Sequence, residues 1–167
     1  MDRRRYLALV GSGVTLSIAG CAGDDDSNER YEQSAESYLL SADEISNILP
    51  GQRYSAGGTR PGMEFAGLET SQVTTFDAVF EDNQIELGVF VFESTEDAQT
   101  AYDDTIDASS ADSNSENIGD EAVSASALRE SSIFVRVSNI LIATLSEDFA
   151  TEFLRRIAQN QVDAITE

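Results

Sequence analysis

The sequence predicts a single α+β domain over residues 38–167, in which an antiparallel sheet of about five or six strands carries two or three helices. Three observations support this prediction. Capping signals precede segments with apolar residues at helical spacing, alternating apolar residues mark several short strands, and short turns between those strands require antiparallel pairing. About 130 residues is an ordinary size for one domain.

The first helix is predicted to begin at Ser41. Ser41 and Glu44 match a capping box, in which the glutamate reaches back to the backbone N–H of the serine. Pro50 then ends the helix, and residues 51–62 (GQRYSAGGTRPG) are predicted to form a glycine-rich loop. The apolar residues that share one face of this helix are Ile45, Ile48 and Leu49.

Two strands are predicted within residues 73–93, joined by a two-residue turn at Asp82-Asn83. In the first of them Phe80 belongs to the alternating apolar series. The continuous apolar run at 89–92 (VFVF) predicts burial on both faces of the sheet. Ser94 then caps a second helix, whose apolar residues repeat at helical spacing.

The C-terminal half is predicted to hold a polar loop at 108–120, a group of strands and a last helix. Ser138-Asn139 fits the turn of the final hairpin. The last helix is predicted to begin at Ser146, because the two acids that follow suit the positive end of a helix dipole, and to bury Phe153. The three predicted strands are 122–129, 131–138 and 140–145.

The first twenty residues have the composition of a cleaved export signal. Three arginines at 3–5 form a cationic start, and residues 6–20 carry no charge over a length shorter than the roughly 18 residues that span a bilayer. Asp2 and Ala8 depart from the usual twin-arginine pattern, so the general secretory route stays open as an alternative. The residues that match a twin-arginine signal are Arg3, Arg4, Tyr6 and Leu7.

The one cysteine, Cys21, completes a stretch that resembles the lipobox of prokaryotic lipoproteins, formed by Ile18, Ala19 and Gly20. That resemblance implies that residues 1–20 are removed and that Cys21 becomes the first residue and carries a diacylglyceryl group. A buried core cysteine is the alternative. The polar, acidic residues after it offer no core to join, so residues 21–37 are predicted to be a lipidated, flexible tether.

The charge composition predicts a protein of concentrated salt. The chain has 10 cationic and 31 acidic residues, a formal net charge of −21, and no lysine. Such a surface resembles that of haloarchaeal proteins, because molar salt shortens the Debye length to about 3 Å and screens the self-repulsion. An acidic disordered chain or a cation-binding protein are the alternatives, and 41% hydrophobic residues argue against disorder. Nucleic acid is not an expected partner, because phosphate binding needs clustered positive charge.

The residue types leave little chemistry for catalysis. With no histidine, no lysine and one cysteine expected to be acylated, a Ser-His-Asp triad, a Ser-Lys dyad, a Schiff base and a zinc site with nitrogen or sulfur ligands are not available. Paired carboxylates could hydrolyse a glycoside, but 31 acids produce such pairs by chance. We therefore expect no enzyme, no cofactor and no metal, with a carboxylate-dependent hydrolase as the catalytic alternative.

The best candidate for ligand recognition is the glycine-rich loop, through Arg53, Tyr54 and Arg60. Two guanidiniums in so acidic a chain could capture an anion, and ordinary pairing with nearby acids is the alternative. On the last helix, Arg155 and Arg156 follow Glu152 at the spacing of helix surface ion pairs.

Three fragments together resemble known domains: residues 38–51 (YLLSADEISNILPG), 118–122 (IGDEA) and 131–145 (SSIFVRVSNILIATL) before a helix containing AQNQVDAI. They are similar to small surface lipoproteins and to the extracellular sensor domain of some bacterial serine/threonine receptor kinases. The resemblance implies an α+β fold with a cleft for a ligand. One cysteine cannot form a disulfide within the chain, and neither a transmembrane segment nor a kinase domain is apparent, so signalling through an attached kinase is not expected.

These observations predict a lipid-anchored protein on the outer face of the cytoplasmic membrane, held there through Cys21. Its domain is expected to be a non-catalytic binding or sensor-like module for an unknown small ligand. The alternative is a structural or accessory subunit of a membrane or envelope complex, which would present an exposed apolar patch rather than a closed pocket with a few polar groups.

Overall fold

The computed structural model describes residues 30–49, 51–109, 112–127 and 130–167. The predicted signal peptide, the lipobox and Cys21 lie outside these residues. Within the described part, no helix is long and apolar enough to cross a membrane. The elements of that part are, in chain order, α1 (Ala35–Tyr38), α2 (Ala42–Ile48), β1 (Tyr54–Arg60), β2 (Leu68–Ala78), β3 (Gln84–Phe92), α3 (Thr95–Ala108), β4 (Asp112–Glu116), β5 (Glu121–Ala127), β6 (Glu130–Val137), β7 (Ile140–Ser146) and α4 (Thr151–Thr166).

All seven strands form one antiparallel sheet in the order β1-β2-β3-β7-β6-β5-β4. The predicted α+β class and antiparallel pairing are confirmed, and the number of strands exceeds the predicted five or six. The sheet consists of two meanders, β1 to β3 and β4 to β7. They meet where β3 pairs with β7, from Glu86 opposite Leu145 to Val91 opposite Ile140.

Helices cover the two faces of the sheet unequally. On the first face, α1, α2 and α4 pack over the larger core, which includes Val89 and Val91 of β3. On the second face, α3 and the segment 61–67 cover Phe90 and Phe92. The predicted burial of the VFVF run on both faces is therefore confirmed.

The segment 61–67 lies close to the sheet because Gly62 has no side chain. A Cβ at this position would lie 2.3 Å from the Phe90 ring. The same segment supplies Phe65, whose ring meets that of Phe90 edge to face at a centroid distance of 5.7 Å. An edge-to-face arrangement is favourable for two aromatic rings, so this contact closes the second core over β2 and β3.

Two strands occupy segments that were predicted to be loops. β1 lies within residues 51–62, and all of its residues after Tyr54 are exposed. β4 (DSNSE) lies within residues 108–120 and pairs with β5. Both are edge strands of the sheet, held by backbone hydrogen bonds along one side. Alternation of apolar and polar residues is the pattern that predicts a half-buried strand from a sequence, and neither segment has this alternation.

The capping signals of α2 and α3 are confirmed. Ser41 Oγ accepts a hydrogen bond from the backbone N–H of Glu44, and the Glu44 carboxylate accepts one from the backbone N–H of Ser41 at 2.7 Å. Ser41 Oγ also donates to Glu44 Oε2 at 2.6 Å, and this hydrogen bond, followed by the one from the Ser41 backbone N–H, lowers the pKa of Glu44. Ser94 accepts from the backbone N–H of Asp97 at 3.1 Å in the same manner. The predicted turn at Ser138-Asn139 is also confirmed, with Ser138 at a φ of 51°.

The last helix begins at Thr151, not at Ser146 as predicted. Ser146 instead ends β7, where its Oγ donates to the backbone carbonyl of Gln84 at 2.6 Å. This hydrogen bond holds the residue in the sheet and delays the helix. Phe153 is 40% exposed, so the prediction that it is buried is wrong. The residues of α4 that are buried are Leu154, Ile157, Ala158, Gln161, Val162 and Ile165.

The incoming chain is held against the domain by two buried side-chain amides, Asn139 and Gln161, which we call the amide clamp. Asn139 donates from Nδ2 to the carbonyls of Tyr31 at 3.0 Å and Phe92 at 2.8 Å, and its Oδ1 accepts from the Tyr31 N–H at 2.8 Å. Gln161 accepts from the Leu40 N–H at 3.2 Å. Both amides are completely buried, and each has hydrogen-bond partners, as buried polar groups require.

The clamp fixes where the chain joins the sheet. Tyr31 is bound beside Phe92, the last residue of β3, and Arg30 pairs with Glu69 near the start of β2 at 2.7 Å. Ala35 is 1% exposed and belongs to the larger core. Residues 30–37, assigned to the tether from the sequence, therefore pack against the domain in part, ahead of the predicted boundary at residue 38.

Candidate functional site

Tyr54, the central residue of the predicted ligand loop, is a buried core side chain. It opens β1, is 5% exposed, and its hydroxyl donates to Gln52 Oε1 at 2.6 Å. Burial, together with the negative charge of Glu81, raises the pKa of Tyr54 to about 12. The ring is packed beside Phe149 at a centroid distance of 6.5 Å. Tyr54 supports the fold and offers no surface to a ligand.

The two arginines of that loop lie at opposite ends of β1. Arg60 is its last residue, and its Nη2 forms an ion pair with Glu86 Oε2 at 3.1 Å. Arg53 precedes the strand, is exposed, and has no ion pair with any residue that the structure describes. Seven residues of extended strand separate them by roughly 20 Å. The structure does not bring these guanidiniums together, and a single small anion cannot contact both.

The most exposed large apolar side chain of the described residues lies in the loop between β2 and β3. Phe80 is 82% exposed and Val79 is 50% exposed, and we call this pair the apolar tip. The prediction that Phe80 continues the strand is wrong, because β2 ends at Ala78 and the loop spans residues 79–83, longer than the predicted two-residue turn.

The backbone of the apolar tip is anchored although its side chains are exposed. The Val79 N–H donates to the Arg53 carbonyl at 2.8 Å, and the Ala78 N–H donates to the Asn83 carbonyl at 2.9 Å. Glu81 accepts from Asn83 Nδ2 at 2.8 Å. The tip is thus a defined projection at the end of the sheet.

Beside the tip, the uncovered part of the second face forms an open hollow of about 520 Å³, which we call the acidic hollow. Among the carboxylates that line the hollow, Glu86 alone forms an ion pair in the described part of the chain, and its partner is Arg60. Leu145 is the one apolar side chain among the residues that line the hollow. The residues that line it are Asp82, Gln84, Glu86, Glu130, Leu145, Ser146, Glu147 and Asp148.

The acidic hollow has the electrostatics to attract extended positive charge. A cleft lined by one sign of charge concentrates the opposite sign. Across the residues that the structure describes, no three His, Cys, Asp or Glu side chains are arranged to hold a metal ion. The hollow therefore suits several separated cationic groups better than one coordinated ion.

The tip and hollow lie at the opposite end of the sheet from the amide clamp. β3 runs from Gln84, which lines the hollow, to Phe92, which binds Asn139. Nine residues of strand correspond to about 30 Å. The end at which the chain enters and the end that bears the tip are thus separated by the length of the sheet, and we call the latter the distal end.

Among the comparisons with known proteins, one solved structure supports the fold. No protein-family model and no curated protein sequence matches the chain. The extracellular domain of PknH from Mycobacterium tuberculosis aligns with 79% of this chain and 94% of its own, with a TM-score of 0.57 at 9% identity. A GTP binding regulator from Thermotoga maritima aligns with 75% of this chain and 90% of its own, with a TM-score of 0.47 at 13% identity. The first comparison confirms, for the fold alone, the predicted similarity to extracellular sensor domains of serine/threonine kinases.

Proposed function

We propose that this chain is a lipid-anchored, non-catalytic binding module on the outer face of the cytoplasmic membrane, and that its distal end docks a positively charged protein partner. The observation that carries the proposal is the apolar tip, where Phe80 is 82% exposed on an anchored loop. Burying a phenylalanine side chain against a partner contributes about 1.5–3 kcal/mol. Aromatic side chains, phenylalanine among them, are enriched in protein–protein interfaces relative to the rest of the surface.

The acidic hollow sets the chemistry of the partner. Asp82 follows the tip closely in the chain and lines the hollow, so an apolar contact and a field of negative charge lie side by side. A partner that places an apolar group on Phe80 and arginine or lysine side chains over the hollow would satisfy both. A second copy of this chain would instead bring two acidic surfaces together, which is unfavourable.

The position of the tip favours a protein partner over the anchoring membrane. The predicted lipid lies on Cys21, and the chain enters the domain at the clamp end, about 30 Å of sheet away from the tip. Two acyl chains of a diacylglyceryl group suffice for stable anchoring, and the fold-level similarity to an extracellular domain supports the outer face.

The non-catalytic part of the proposal rests on residue chemistry. The chain has no histidine and no lysine, which are the most common general base and amine nucleophile. The side chains of the hollow are carboxylates, one amide, one hydroxyl and one leucine. Such a set suits charge recognition rather than a proton relay.

The anchor is tested by replacing Cys21 with serine and fractionating cells that express the full chain. The variant should leave the membrane fraction or remain as an uncleaved precursor, and mass spectrometry should find the diacylglyceryl group on the wild-type protein alone. A C21S variant that partitions with membranes as the wild type does, with its signal removed, would contradict the anchor.

The docking surface is tested by placing a photoreactive phenylalanine analogue at position 80 in cells. We expect a discrete protein adduct in the membrane fraction, whose yield falls several-fold when Asp82→Asn and Glu130→Gln reduce the charge of the hollow. The control position is Glu36, an exposed residue of α1 at the clamp end. Equal adducts from positions 36 and 80, adducts with lipid alone, or a yield that ignores the two charge variants would overturn the proposal.

A further inference from the structure

A crevice of about 400 Å³ between α2 and α4 carries a guanidinium without an ionic partner. Arg156 lines this crevice and is exposed. No carboxylate in the described part of the chain lies within ion-pair distance of it, although Glu152 is one turn away on the same helix. The predicted surface pairing of Arg156 is thus not formed. The residues that line the crevice are Asn47, Ile48, Arg156, Gln159 and Asn160.

The three amides of the crevice retain unused hydrogen-bonding groups. Asn160 Nδ2 donates to the Arg156 carbonyl at 2.8 Å, and Gln159 Nε2 donates to Asp163 Oδ1 at 2.9 Å, so both side-chain oxygens remain acceptors. The Asn47 side chain makes no hydrogen bond to any described residue, which leaves its two donors and its acceptor. The crevice therefore combines one cationic fork with several neutral acceptors and donors.

An apolar surface adjoins these polar groups. Phe153 lies outside the residues that line the crevice; it is 40% exposed and three residues before Arg156, a spacing that makes the two side chains neighbours on one helix face. Its ring is held by an edge contact with Phe149 at a centroid distance of 5.8 Å. Ile48 adds a half-buried aliphatic side chain from α2.

We propose that this crevice binds a carboxylated sugar, a uronic acid residue. The guanidinium of Arg156 matches a carboxylate with two parallel hydrogen bonds. Sugar hydroxyls both donate and accept, as the amides of Asn47, Gln159 and Asn160 require. The C–H face of the sugar ring packs against Phe153 in the manner of other apolar contacts with an aromatic ring.

The amide oxygens distinguish this ligand from a bare anion. Sulfate or acetate would pair with Arg156 but carries no donor for the side-chain oxygens of Gln159 and Asn160, which line the same crevice. A ligand with hydroxyls beside its carboxylate supplies such donors. This site depends on α2 and α4 and is independent of the partner proposed for the apolar tip.

The test uses NMR of the full mature protein in detergent micelles, at constant ionic strength, with the side-chain amide signals of Asn47, Gln159 and Asn160 as the readout. Sodium glucuronate should shift these signals in a saturable manner. Glucose, which lacks the carboxylate, and acetate, which lacks the hydroxyls, should each bind at least about tenfold more weakly, the factor that 1.4 kcal/mol represents. An oligosaccharide of glucuronic acid is titrated in the same way. If the natural ligand is a polymer, the oligosaccharide should bind more tightly than glucuronate; if it is the free sugar, the oligosaccharide should not.

Matched variants locate the binding. Arg156→Gln should weaken glucuronate about tenfold, whereas Arg30→Gln, which removes the same charge from the Glu69 pair, should leave it unchanged. Phe153→Ser should weaken glucuronate but not acetate. A response to glucuronate that does not saturate, equal responses to glucuronate and acetate, or equal losses from the R156Q and R30Q variants would overturn the proposal.

Discussion

Arg155 of α4 donates two hydrogen bonds to Glu116 of β4, from Nε to Oε2 and from Nη2 to Oε1, each at 2.7 Å. The Glu116 side chain is only 10% exposed, and Ser124 Oγ donates to its Oε1 as well, also at 2.7 Å. The hydrogen bond from Arg155 is the main reason that the pKa of Glu116 lies below its ordinary value, although burial acts in the opposite direction. This paired contact fastens an edge strand of the sheet to the last helix.

Glu116→Gln should lower the free energy of unfolding by about 1–2 kcal/mol at neutral pH, because it removes a charge-assisted contact from a mostly buried site. The folded-state pKa is lowered, so this contribution is present above the unfolded value and is lost as the pH falls from about 4.5 through the lowered pKa. Urea unfolding at neutral and at acid pH measures both effects.

Glu152→Gln is the matched control for that variant, since Glu152 has no ion pair with either neighbouring arginine in the described structure. It should change stability by less than about 0.5 kcal/mol. If E116Q and E152Q are equally stable, or if the deficit of E116Q persists in acid, the contact has no stabilising role.

Asn139→Ala should be among the most damaging single changes at the clamp end. It leaves the buried carbonyl of Phe92 without its amide partner and removes two partly buried hydrogen bonds to the backbone of Tyr31, and an unsatisfied buried group costs about 1–3 kcal/mol. We expect a loss of about 3 kcal/mol in unfolding free energy, and faster amide exchange at Tyr31 than in the wild type. Asn83→Ala removes an exposed amide contact and is the control. Unchanged exchange at Tyr31 in the N139A variant would refute the role of the clamp.

Tyr54 should titrate well above the ordinary tyrosine pKa of 10. Its folded-state pKa is about 12, so the neutral phenol stabilises the fold fully below the ordinary value of 10, and this contribution is lost as the pH rises toward 12. Ultraviolet absorbance titration of the wild type and of Tyr54→Phe should differ by one phenol that ionises near pH 12. The stability of the wild type should also fall more steeply than that of Y54F above pH 10. A difference that titrates at the ordinary value would contradict the burial of this hydroxyl.

Salt should stabilise the domain. A net charge of −21 repels itself in dilute buffer, and molar salt screens most of that repulsion. The thermal midpoint of the protein should therefore rise by several degrees between dilute buffer and molar potassium chloride. The doubly neutralised variant with Asp82→Asn and Glu130→Gln should need less salt to reach the same midpoint. Equal midpoints of the wild type in both solutions would count against the high-salt interpretation.

The elements that the sequence predicted well are those with two independent local signals. α2 and α3 have both a cap and an apolar face, and β3, β6 and β7 have alternating apolar residues bounded by turn residues. The predicted start of α4 is wrong because Glu147 and Asp148, considered without the rest of the fold, suit the first turn of a helix. In the structure, Ser146 instead ends β7, where it donates a hydrogen bond to Gln84, a residue distant in the chain.

The candidate sites were harder to predict because they depend on contacts between distant residues. Arg53 and Arg60 looked adjacent in a loop, yet the strand between them carries them apart. Phe80 continued an alternating pattern, and its exposure follows only from where β2 ends. Asn139 was recognised as a turn residue, while its partners, Tyr31 and Phe92, could not be inferred from local sequence.

The amide clamp also determines how the domain would respond to mechanical force. Tyr31 is bound through Asn139 to the end of β3, beside the pairing of β3 with β7 that joins the two meanders in the middle of the sheet. A force applied to the incoming chain therefore acts on β3 in the middle of the sheet, where the hydrogen bonds to both β2 and β7 resist it. Such a force does not peel the sheet open from one of its outer strands, β1 or β4.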